Sequence, residues 1–268
     1  MRPISELSQQ VASEVKAVFC DIDDTITTNR RLGAAAFQAL EDLYMAGIAV
    51  VPVTGRPAGW CDMIARFWPV QGVVGENGAF YYAYDPSGQK MNRRFNKGLG
   101  NHIDNLHRFD NILDRVAREV PGAAISADQS FRVADLAIDF CEDVAALSTT
   151  DINHIKNIFE EEGAVAKISS IHVNGWFGSY DKLSMSRIFA AEVLFLDIDA
   201  QNSQVIFVGD SPNDAPMFSF FNNSCGVANI RAFENDLDLL PTWVASGSGG
   251  AGFCEIANIL LESQKKEK

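Results

Sequence analysis

The stretch from Val15 to Thr25, VKAVFCDIDDT, joins a short apolar run to an abrupt acidic ending. Apolar runs without polar alternation are typical of strands that are buried on both faces, as in a parallel sheet. We therefore predict a buried strand over Val15–Cys20, with Asp21 and Asp23 at its exposed carboxyl end. In open α/β sheets ligands bind at that end of the strands, so these two carboxylates are candidate functional groups.

The sequence that follows alternates buried strands with amphipathic helices. A helix predicted over Gly33–Ala46 precedes a strand over Ile48–Val53. A second helix, from about Pro57 to Phe67, precedes a short strand over Gln71–Gly75. This rhythm predicts a doubly wound, Rossmann-like α/β core with a parallel sheet.

The next hundred residues have a different pattern. Phe80–Tyr84 and Gln89–Phe95 read as the two strands of a hairpin, because a turn segment separates them. Two amphipathic helices are predicted after it, over Ile103–Val120 and Asp151–Glu162. Two helices on an antiparallel sheet make an α+β module of the size of a domain.

The alternation of the core resumes after this module. A helix is predicted over Lys182–Val193, and an apolar strand over Gln204–Val208 ends in a second acidic turn. We therefore predict an inserted α+β cap and a discontinuous core around it. The predicted core comprises residues 1–79 and 178–268, and the predicted cap comprises residues 80–177.

Composition and charge restrict the partners of the chain. The formal net charge of −13 disfavours nucleic acid and anionic membranes, because both are polyanions. The N-terminus lacks the apolar core of a signal peptide, and no apolar run approaches the ~20 residues of a membrane span. The five cysteines are scattered, which is typical of reduced thiols. We therefore expect a soluble cytoplasmic protein, a monomer or homodimer, whose partner is a small molecule.

Asp21 and Asp23 are two residues apart, so both side chains can face one pocket. One carboxylate can attack a substrate while the other donates or accepts a proton. Paired carboxylates also attract a hard divalent cation, and oxygen ligands at this density suit Mg²⁺. Taken alone, however, an Asp-rich turn is more often a simple turn or a helix cap.

Two further polar clusters follow predicted strands. Thr54, Gly55 and Arg56 offer a hydroxyl, an open backbone amide and a guanidinium, a set that suits an anionic oxygen but also an ordinary turn. The second acidic turn supplies Asp210 and Asp214, which could instead cap the next helix. The combination of clusters at the strand ends of one domain favours the functional interpretation.

The clusters occur in the order Asp-x-Asp, Thr, Lys and Gly-Asp-x-x-x-Asp, which resembles the motif set of the haloacid dehalogenase-like phosphohydrolase superfamily. The matching segments are Asp21–Thr25, Thr54–Arg56, Lys182 and Gly209–Asp214. One residue departs from the usual first motif, since Asp24 replaces a glycine. Asp tolerates unusual turns better than most residues, so we expect the loop to persist with this carboxylate directed away from the metal.

The resemblance, together with the chemistry of the residues, implies a role for each candidate. Asp21 is the expected nucleophile, and Asp23 is the expected acid that protonates the leaving oxygen and then activates water. The groups expected to hold the phosphoryl oxygens are Thr54, the Gly55 amide and Lys182, with Arg56 as a further substrate contact. The expected Mg²⁺ ligands are Asp21, the backbone carbonyl of Asp23, Asp210, Asn213 and Asp214.

The insertion lies between the second and third motifs, which resembles the C2 class of cap domains. Its size and the preceding GENGA, residues 75–79, resemble subgroup IIB, which includes Cof-like sugar phosphatases and phosphomannomutases. Near the end of the cap His172, Asn174 and Trp176 alternate, which would place them on one face of an extended segment. Such a face suits a sugar, although a half-exposed strand with a core tryptophan explains the pattern equally well.

We therefore expect a Mg²⁺-dependent phosphohydrolase that cleaves a small phosphate monoester, a sugar phosphate, through an aspartyl-phosphate intermediate. One alternative is a phosphomutase, because Gly175-Trp176 shortly before Lys182 resembles the Gly-Trp-Asp-Lys of phosphomannomutases. The other is a non-enzymatic phospho-acceptor similar to response-regulator receivers, which would be about half this length and would have no cap. The sequence does not name the phosphate ester.

Overall fold

The computed structural model describes residues 1–99, 102–235, 237 and 239–265. The strands are β1 (Arg2–Pro3), β2 (Ala17–Cys20), β3 (Ala49–Pro52), β4 (Val73–Gly75), β5 (Phe80–Asp85), β6 (Lys90–Phe95), β7 (Ala124–Ile125), β8 (Leu136–Asp139), β9 (Val165–Ile168), β10 (His172–Trp176), β11 (Val205–Gly209), β12 (Asn223–Gly226) and β13 (Trp243–Val244). The helices are α1 (Gln9–Ser13), α2 (Ala34–Met45), α3 (Ala58–Phe67), α4 (His102–Glu119), α5 (Thr149–Glu161), α6 (Lys182–Val193), α7 (Ala215–Phe220) and α8 (Gly249–Lys265).

A parallel six-stranded sheet forms the centre of the core, in the order β1-β13-β12-β11-β2-β3. Its central strands are apolar on both sides, and all four residues of β2 are buried. Val18 and Cys20 pack with α2 and α8, whereas Ala17 and Phe19 pack with α6 and α7. Helices therefore cover both faces, and the predicted doubly wound core is confirmed.

The order of the strands determines where a ligand can bind. From β2 the chain continues to β3 on one side of the sheet, whereas β11 lies on the other side of β2. Such a switch point opens a crevice at the carboxyl ends of the central strands. Asp21 directly follows β2, and Asp210 directly follows β11. Thr54 lies two residues beyond the end of β3. The fold thus brings the predicted clusters to one edge.

The cap has its own sheet and its own apolar core. Four antiparallel strands in the order β7-β8-β10-β9 carry α4 and α5. Ile112 and Val116 of α4 pack with Ile155 and Phe159 of α5 over Val173 of β10. The predicted α+β module is confirmed as a structural unit by this separate cluster.

The hairpin at the start of the predicted cap packs on the core. It forms an antiparallel sheet in the order β4-β5-β6. On one face Phe80 and Tyr82 join the apolar cluster beneath α3, and on the other Tyr81 stacks edge-on against Phe189 of α6, with ring centroids 5.2 Å apart. The domain limits at residues 80 and 177 remain a prediction, and this packing leads us to propose that the cap begins after Phe95.

Two glycines flank residues 80–177, the segment that the sequence predicts as the cap. A Cβ on Gly78, at φ +102°, would lie 1.9 Å from the carbonyl oxygen of Asp181. A Cβ on Gly178, at φ +134°, would lie 2.1 Å from the carbonyl oxygen of Gly98. Only glycine fits such close approaches at positive φ. In the described ranges, no helix has both the length and the apolar character needed to cross a membrane.

Candidate active site

Asp21 lies directly beyond β2, at the centre of the crevice. Its backbone N–H donates to the carbonyl of Val208 at 2.9 Å, which extends the ladder between β2 and β11 by one step. The side chain is buried, and its Oδ1 lies 3.0 Å from Nζ of Lys182. Burial raises the pKa of Asp21 to about 7, against the attraction of Lys182 and with a further contribution from Asp214.

Lys182 is buried at the first position of α6. The start of this helix is fixed by a capping box, in which the Asp181 carboxylate accepts from the Ser184 N–H and the Ser184 hydroxyl accepts from the Asp181 N–H. Nζ of Lys182 lies 2.7 Å from Oδ1 of Asp214 and 3.0 Å from Oδ1 of Asp21. Burial alone would lower the pKa of Lys182, but these two carboxylates raise it overall. The ammonium is therefore a fixed positive charge beside the candidate nucleophile.

Three buried carboxylates form a group that fits a divalent cation. Asp21, Asp210 and Asp214 each offer an oxygen, and these oxygens lie within 4.8 Å of one another. Burial raises the pKa of Asp210, and the charges of Asp21 and Asp214 add to the effect. Hard oxygen donors at this spacing suit Mg²⁺, which would offset the excess negative charge. Asn213 lies on the wall of the same cavity and accepts at Oδ1 from the Ser211 hydroxyl at 2.9 Å.

The loop of the first motif has the conformation that the sequence predicts. Asp24 adopts φ +56°, in the left-handed region where its position would more often be taken by glycine. Its N–H donates to the hydroxyl of Thr27 at 3.0 Å, and its carbonyl accepts from Nδ2 of Asn229 at 2.9 Å. The loop therefore persists despite the substitution.

The turn after β3 provides donors for an anion. Thr54 Oγ1 accepts from the backbone N–H of Arg56 at 3.0 Å, which leaves the hydroxyl hydrogen free to donate elsewhere. A Cβ on Gly55 would lie 3.2 Å from Nδ2 of Asn77, a buried atom that has no hydrogen-bond partner in the described structure. The Gly55 carbonyl accepts from Nη1 of Arg132 at 2.9 Å, so a cap residue supports this turn.

Arg56 joins the predicted acid/base to the cap. Its Nε lies 2.9 Å from Oδ2 of Asp23, and its Nη2 lies 2.9 Å from Oδ1, an arrangement that occupies both carboxylate oxygens. The same guanidinium contacts Glu142 at 2.7 Å and Asp128 at 3.4 Å. Burial alone would lower the pKa of Arg56, but these carboxylates raise it, so the guanidinium remains charged. In this conformation Arg56 is a bridge between domains.

The predicted alternation along β10 is present, but its three side chains have different surroundings. His172 and Asn174 line the cavity above Asp21. Trp176 does not reach that cavity, because its ring stacks on Tyr180 at 5.5 Å within the apolar cluster of the core. The placement of Trp176 as a substrate contact is therefore corrected: the indole is an interior side chain at the joint between the domains.

The cap is closed over the carboxylates. The cavity between the domains measures about 20 Å³, which is room for about one water molecule. Its lining residues from the core are Asp21, Asp23, Gly55, Arg56 and Asn213, and those from the cap are Ser169, Ser170, Ile171, His172 and Asn174. A phosphate ester is far larger than this space, so it would not fit between the cap and the core as they lie here.

Buried charge holds the joint between cap and core. The carboxylate of Glu76 accepts four backbone N–H groups, one from Ala58 at the start of α3 and three from the cap segment 133–135. Burial and the charge of Asp135 raise the pKa of Glu76 to about 8, against the opposing effects of Arg132 and the amides. Arg132 itself lies between Asp128 and Asp135, at 3.0 and 2.9 Å.

Comparison with known proteins agrees with this geometry. Residues 18–112 match the family model of the haloacid dehalogenase-like hydrolases. The chain is 24% identical over 251 residues to the phosphoglycolate phosphatase of Methanoculleus marisnigri, an alignment that covers 90% of this chain and 94% of the relative. The predicted resemblance to the haloacid dehalogenase-like hydrolases is therefore confirmed. The prediction of an enzyme, a phosphohydrolase, is confirmed at the level of this family.

Solved structures share the fold of this chain along nearly its whole length. A protein of Thermoplasma acidophilum has a TM-score of 0.67 at 18% identity, with 92% of this chain and 98% of that chain covered. A HAD/COF-like hydrolase from Plasmodium vivax has a TM-score of 0.67 at 16% identity, with 97% and 100% covered. A HAD subclass IIB sugar phosphatase has a TM-score of 0.60 at 11% identity, with 94% and 99% covered. The predicted fold, a Rossmann-like α/β core with an inserted α+β cap, is confirmed.

Two residues of this hydrolase were absent from the sequence-based set. Asn229 donates through Nδ2 to Oδ2 of Asp210 at 3.1 Å as well as to the Asp24 carbonyl. It lies shortly after β12, and its position near the end of a core strand was a usable signal. Glu142 lies in a cap loop with no local motif, so its contact with Arg56 could be found only from the structure.

Proposed function

We propose that this hydrolase is a Mg²⁺-dependent phosphatase that cleaves a small phosphate monoester, with a sugar phosphate as the favoured class of substrate. The observation that carries the proposal is the convergence of Asp21, Asp210 and Asp214 with Lys182 in one buried group. An ordinary structural ion pair would not need two carboxylates on one ammonium and a third carboxylate beside them, because unpaired buried charge is costly.

The reaction that fits these residues has two steps. A carboxylate oxygen of Asp21 attacks phosphorus while the bond to the leaving oxygen breaks, and Asp23 gives that oxygen a proton. Asp23 then takes a proton from water, whose oxygen attacks the aspartyl-phosphate and releases phosphate and free Asp21. The Thr54 hydroxyl and the Lys182 ammonium would hold phosphoryl oxygens. Mg²⁺, held by Asp21, Asp210 and Asp214, would supply charge neutralisation.

Substrate exchange on this proposal requires the cap to open. The closed cavity of about 20 Å³ holds no ester, whereas a closed site excludes water from the reacting groups. Gly178 lies at the return from the cap and is part of the proposed hinge, since its positive φ already lies where other residues are strained. The other crossing of the proposed hinge follows Phe95. The contacts of Arg56 with Glu142 and Asp128 would break on opening.

Phosphoglycolate is a second candidate substrate, because the curated relative from Methanoculleus marisnigri is a phosphoglycolate phosphatase. The phosphomutase alternative loses its motif-based support. Gly175 lies where a Cβ would meet the Phe159 ring at 2.1 Å, and Trp176 stacks on Tyr180. Packing therefore accounts for the Gly-Trp pair without a role in phosphate transfer.

The proposal is tested by assaying the purified protein against a panel of phosphorylated metabolites with Mg²⁺ and then with EDTA. The panel should contain hexose phosphates, disaccharide phosphates and phosphoglycolate. We expect phosphate release from at least one sugar phosphate, and its loss on chelation. A clear preference for phosphoglycolate would instead select the second candidate, and no release from any ester would refute the phosphatase assignment.

A further inference from the structure

The loop after β8 presents one cap carboxylate to the core. The carboxylate of Asp139 accepts the backbone N–H groups of Cys141, Glu142 and Asp143, at 2.8, 2.7 and 2.8 Å. These bonds fix the backbone of the loop without using the Glu142 side chain. Arg30 of the core donates to the carbonyls of Cys141 and Glu142, which places the loop against the first-motif side of the site.

The Glu142 side chain is held by two groups that face the catalytic cavity. Its Oε1 lies 2.7 Å from Nη2 of Arg56, and its Oε2 lies 3.3 Å from Nη1. Oε2 also lies 3.0 Å from Nε2 of His172. Burial would raise the pKa of Glu142, but His172 and Arg56 outweigh it and lower that pKa to about 2. Glu142 is therefore ionised.

Arg56 cannot be oriented by solvent, because its side chain is only 5% exposed. Its remaining polar partners are carboxylates: Asp23 in the core, and Glu142 and Asp128 in the cap. The Asp128 contact, at 3.4 Å, is longer than the Glu142 contact at 2.7 Å. Among the cap residues, Glu142 therefore makes the shortest contact with the Arg56 guanidinium, which also binds Asp23.

We propose that Glu142 is a positioning residue that acts through Arg56 to align Asp23 when the cap closes. This inference rests on the proposed function, in which Asp23 transfers protons to the leaving oxygen and from water. When the cap opens, Glu142 moves away from Arg56, and the guanidinium can then change its hydrogen bonds to Asp23. Proton transfer is then coupled to closure, which limits the reaction to the state in which bulk water is excluded.

The central test compares Glu142→Gln with Asp143→Asn. The second substitution removes the same charge from the next residue of the loop, where the side chain is exposed, and is the matched control. With the best sugar phosphate we expect Glu142→Gln to lower kcat about tenfold or more while KM stays within about twofold, because a misaligned acid slows proton transfer. With p-nitrophenyl phosphate, whose leaving oxygen barely needs a proton, we expect the rate of aspartyl-phosphate formation, measured as the burst of p-nitrophenol, to stay within about twofold of the parent. Asp143→Asn should match the parent on both.

A double-mutant cycle separates this role from direct substrate contact. If Glu142 acts through Asp23, Glu142→Gln should change turnover of the sugar phosphate by less than about twofold in an Asp23→Asn background. A full additional loss there would overturn the proposal, as would a rise in KM alone or an equal loss in the rate of aspartyl-phosphate formation from both substrates. Thermal unfolding of Glu142→Gln should match that of Asp143→Asn, because Asp139 builds the loop in both.

The two proposals fail in distinguishable ways. If the parent protein releases phosphate from no ester in the presence of Mg²⁺, the phosphatase assignment fails and the positioning role fails with it. If the parent protein is active and Glu142→Gln has the same kcat on the sugar phosphate, only the positioning role is refuted.

Discussion

The core half and the cap half of the cavity are built by different means. In the core, Asp21, Lys182 and Asp210 each lie at the end of a strand or the start of a helix, so local backbone structure sets their positions. In the cap, Glu142 reaches Arg56 from a loop, and Asn174 on β10 is held by Asp135, so long-range side-chain contacts set the surroundings of both. This difference indicates that secondary structure positions the reacting groups, whereas contacts between the two domains determine how those groups are aligned.

The strongest test of this division is the nucleophile. Asp21→Asn keeps the shape of the side chain but removes the attacking charge, so turnover of every ester should fall by about 1000-fold or more. Steady-state assays on the sugar phosphate and on p-nitrophenyl phosphate measure this loss, with circular dichroism as the check on folding. Near-normal activity of a folded variant would contradict the covalent mechanism.

Metal removal should have the next largest effect. Exhaustive chelation should abolish turnover on all substrates, and Mg²⁺ should restore it, because three buried carboxylates otherwise repel the phosphoryl group. Ca²⁺ should inhibit, since its longer and looser coordination would misplace the attacking oxygen. The readout is the rate against added metal after dialysis, and unchanged activity in the chelated protein would contradict a metal role.

Substitution of Asp23 should reduce activity on one class of substrate more than on the other. Asp23→Asn is expected to slow hydrolysis of the sugar phosphate by about 100-fold to 10,000-fold, and that of p-nitrophenyl phosphate far less. The ratio of the two rates is the quantity to measure. An equal loss on both substrates would indicate that Asp23 only organises the metal or the loop.

The smallest effects should come from the cap, and they sharpen the comparison because Asn174 and Trp176 share one strand. Asn174→Ala should lower kcat/KM for the true substrate about tenfold to a hundredfold, while acetyl phosphate hydrolysis stays nearly unchanged. Trp176→Ala should instead reduce the free energy of unfolding by about 3–5 kcal/mol, because the indole is almost fully buried between core and cap.

For both variants, thermal or urea unfolding measures the change in stability, and steady-state kinetics on the sugar phosphate and on acetyl phosphate measures the change in activity. Selective loss of sugar-phosphate turnover in Trp176→Ala without a change in stability would restore the indole as a substrate contact. Loss of acetyl phosphate hydrolysis in Asn174→Ala would mean that Asn174 supports the core site, for example through the Gly55 turn beside it.

The core site was predictable because its signals are local. Apolar runs define β2, β3 and β11, and the polar residues that follow them must reach the same edge of a parallel sheet. The left-handed turn at Asp24 was equally predictable, since it depends on the conformational tolerance of one residue. For Asp21, Thr54, Lys182 and Asp210, the sequence therefore placed the residues and suggested their chemistry.

The sequence by itself determined the doubly wound core, the inserted α+β module and the acidic residues at the strand ends, because strand period and chain order are properties of short segments. The resemblance to the family added Lys182 to that site. Only the tertiary structure decided that the hairpin of β5 and β6 packs on the core, that Trp176 is an interior residue and that Glu142 reaches Arg56. These outcomes depend on which surfaces meet across the domain boundary. A period of two identifies the face of a strand, but it does not identify what that face will touch.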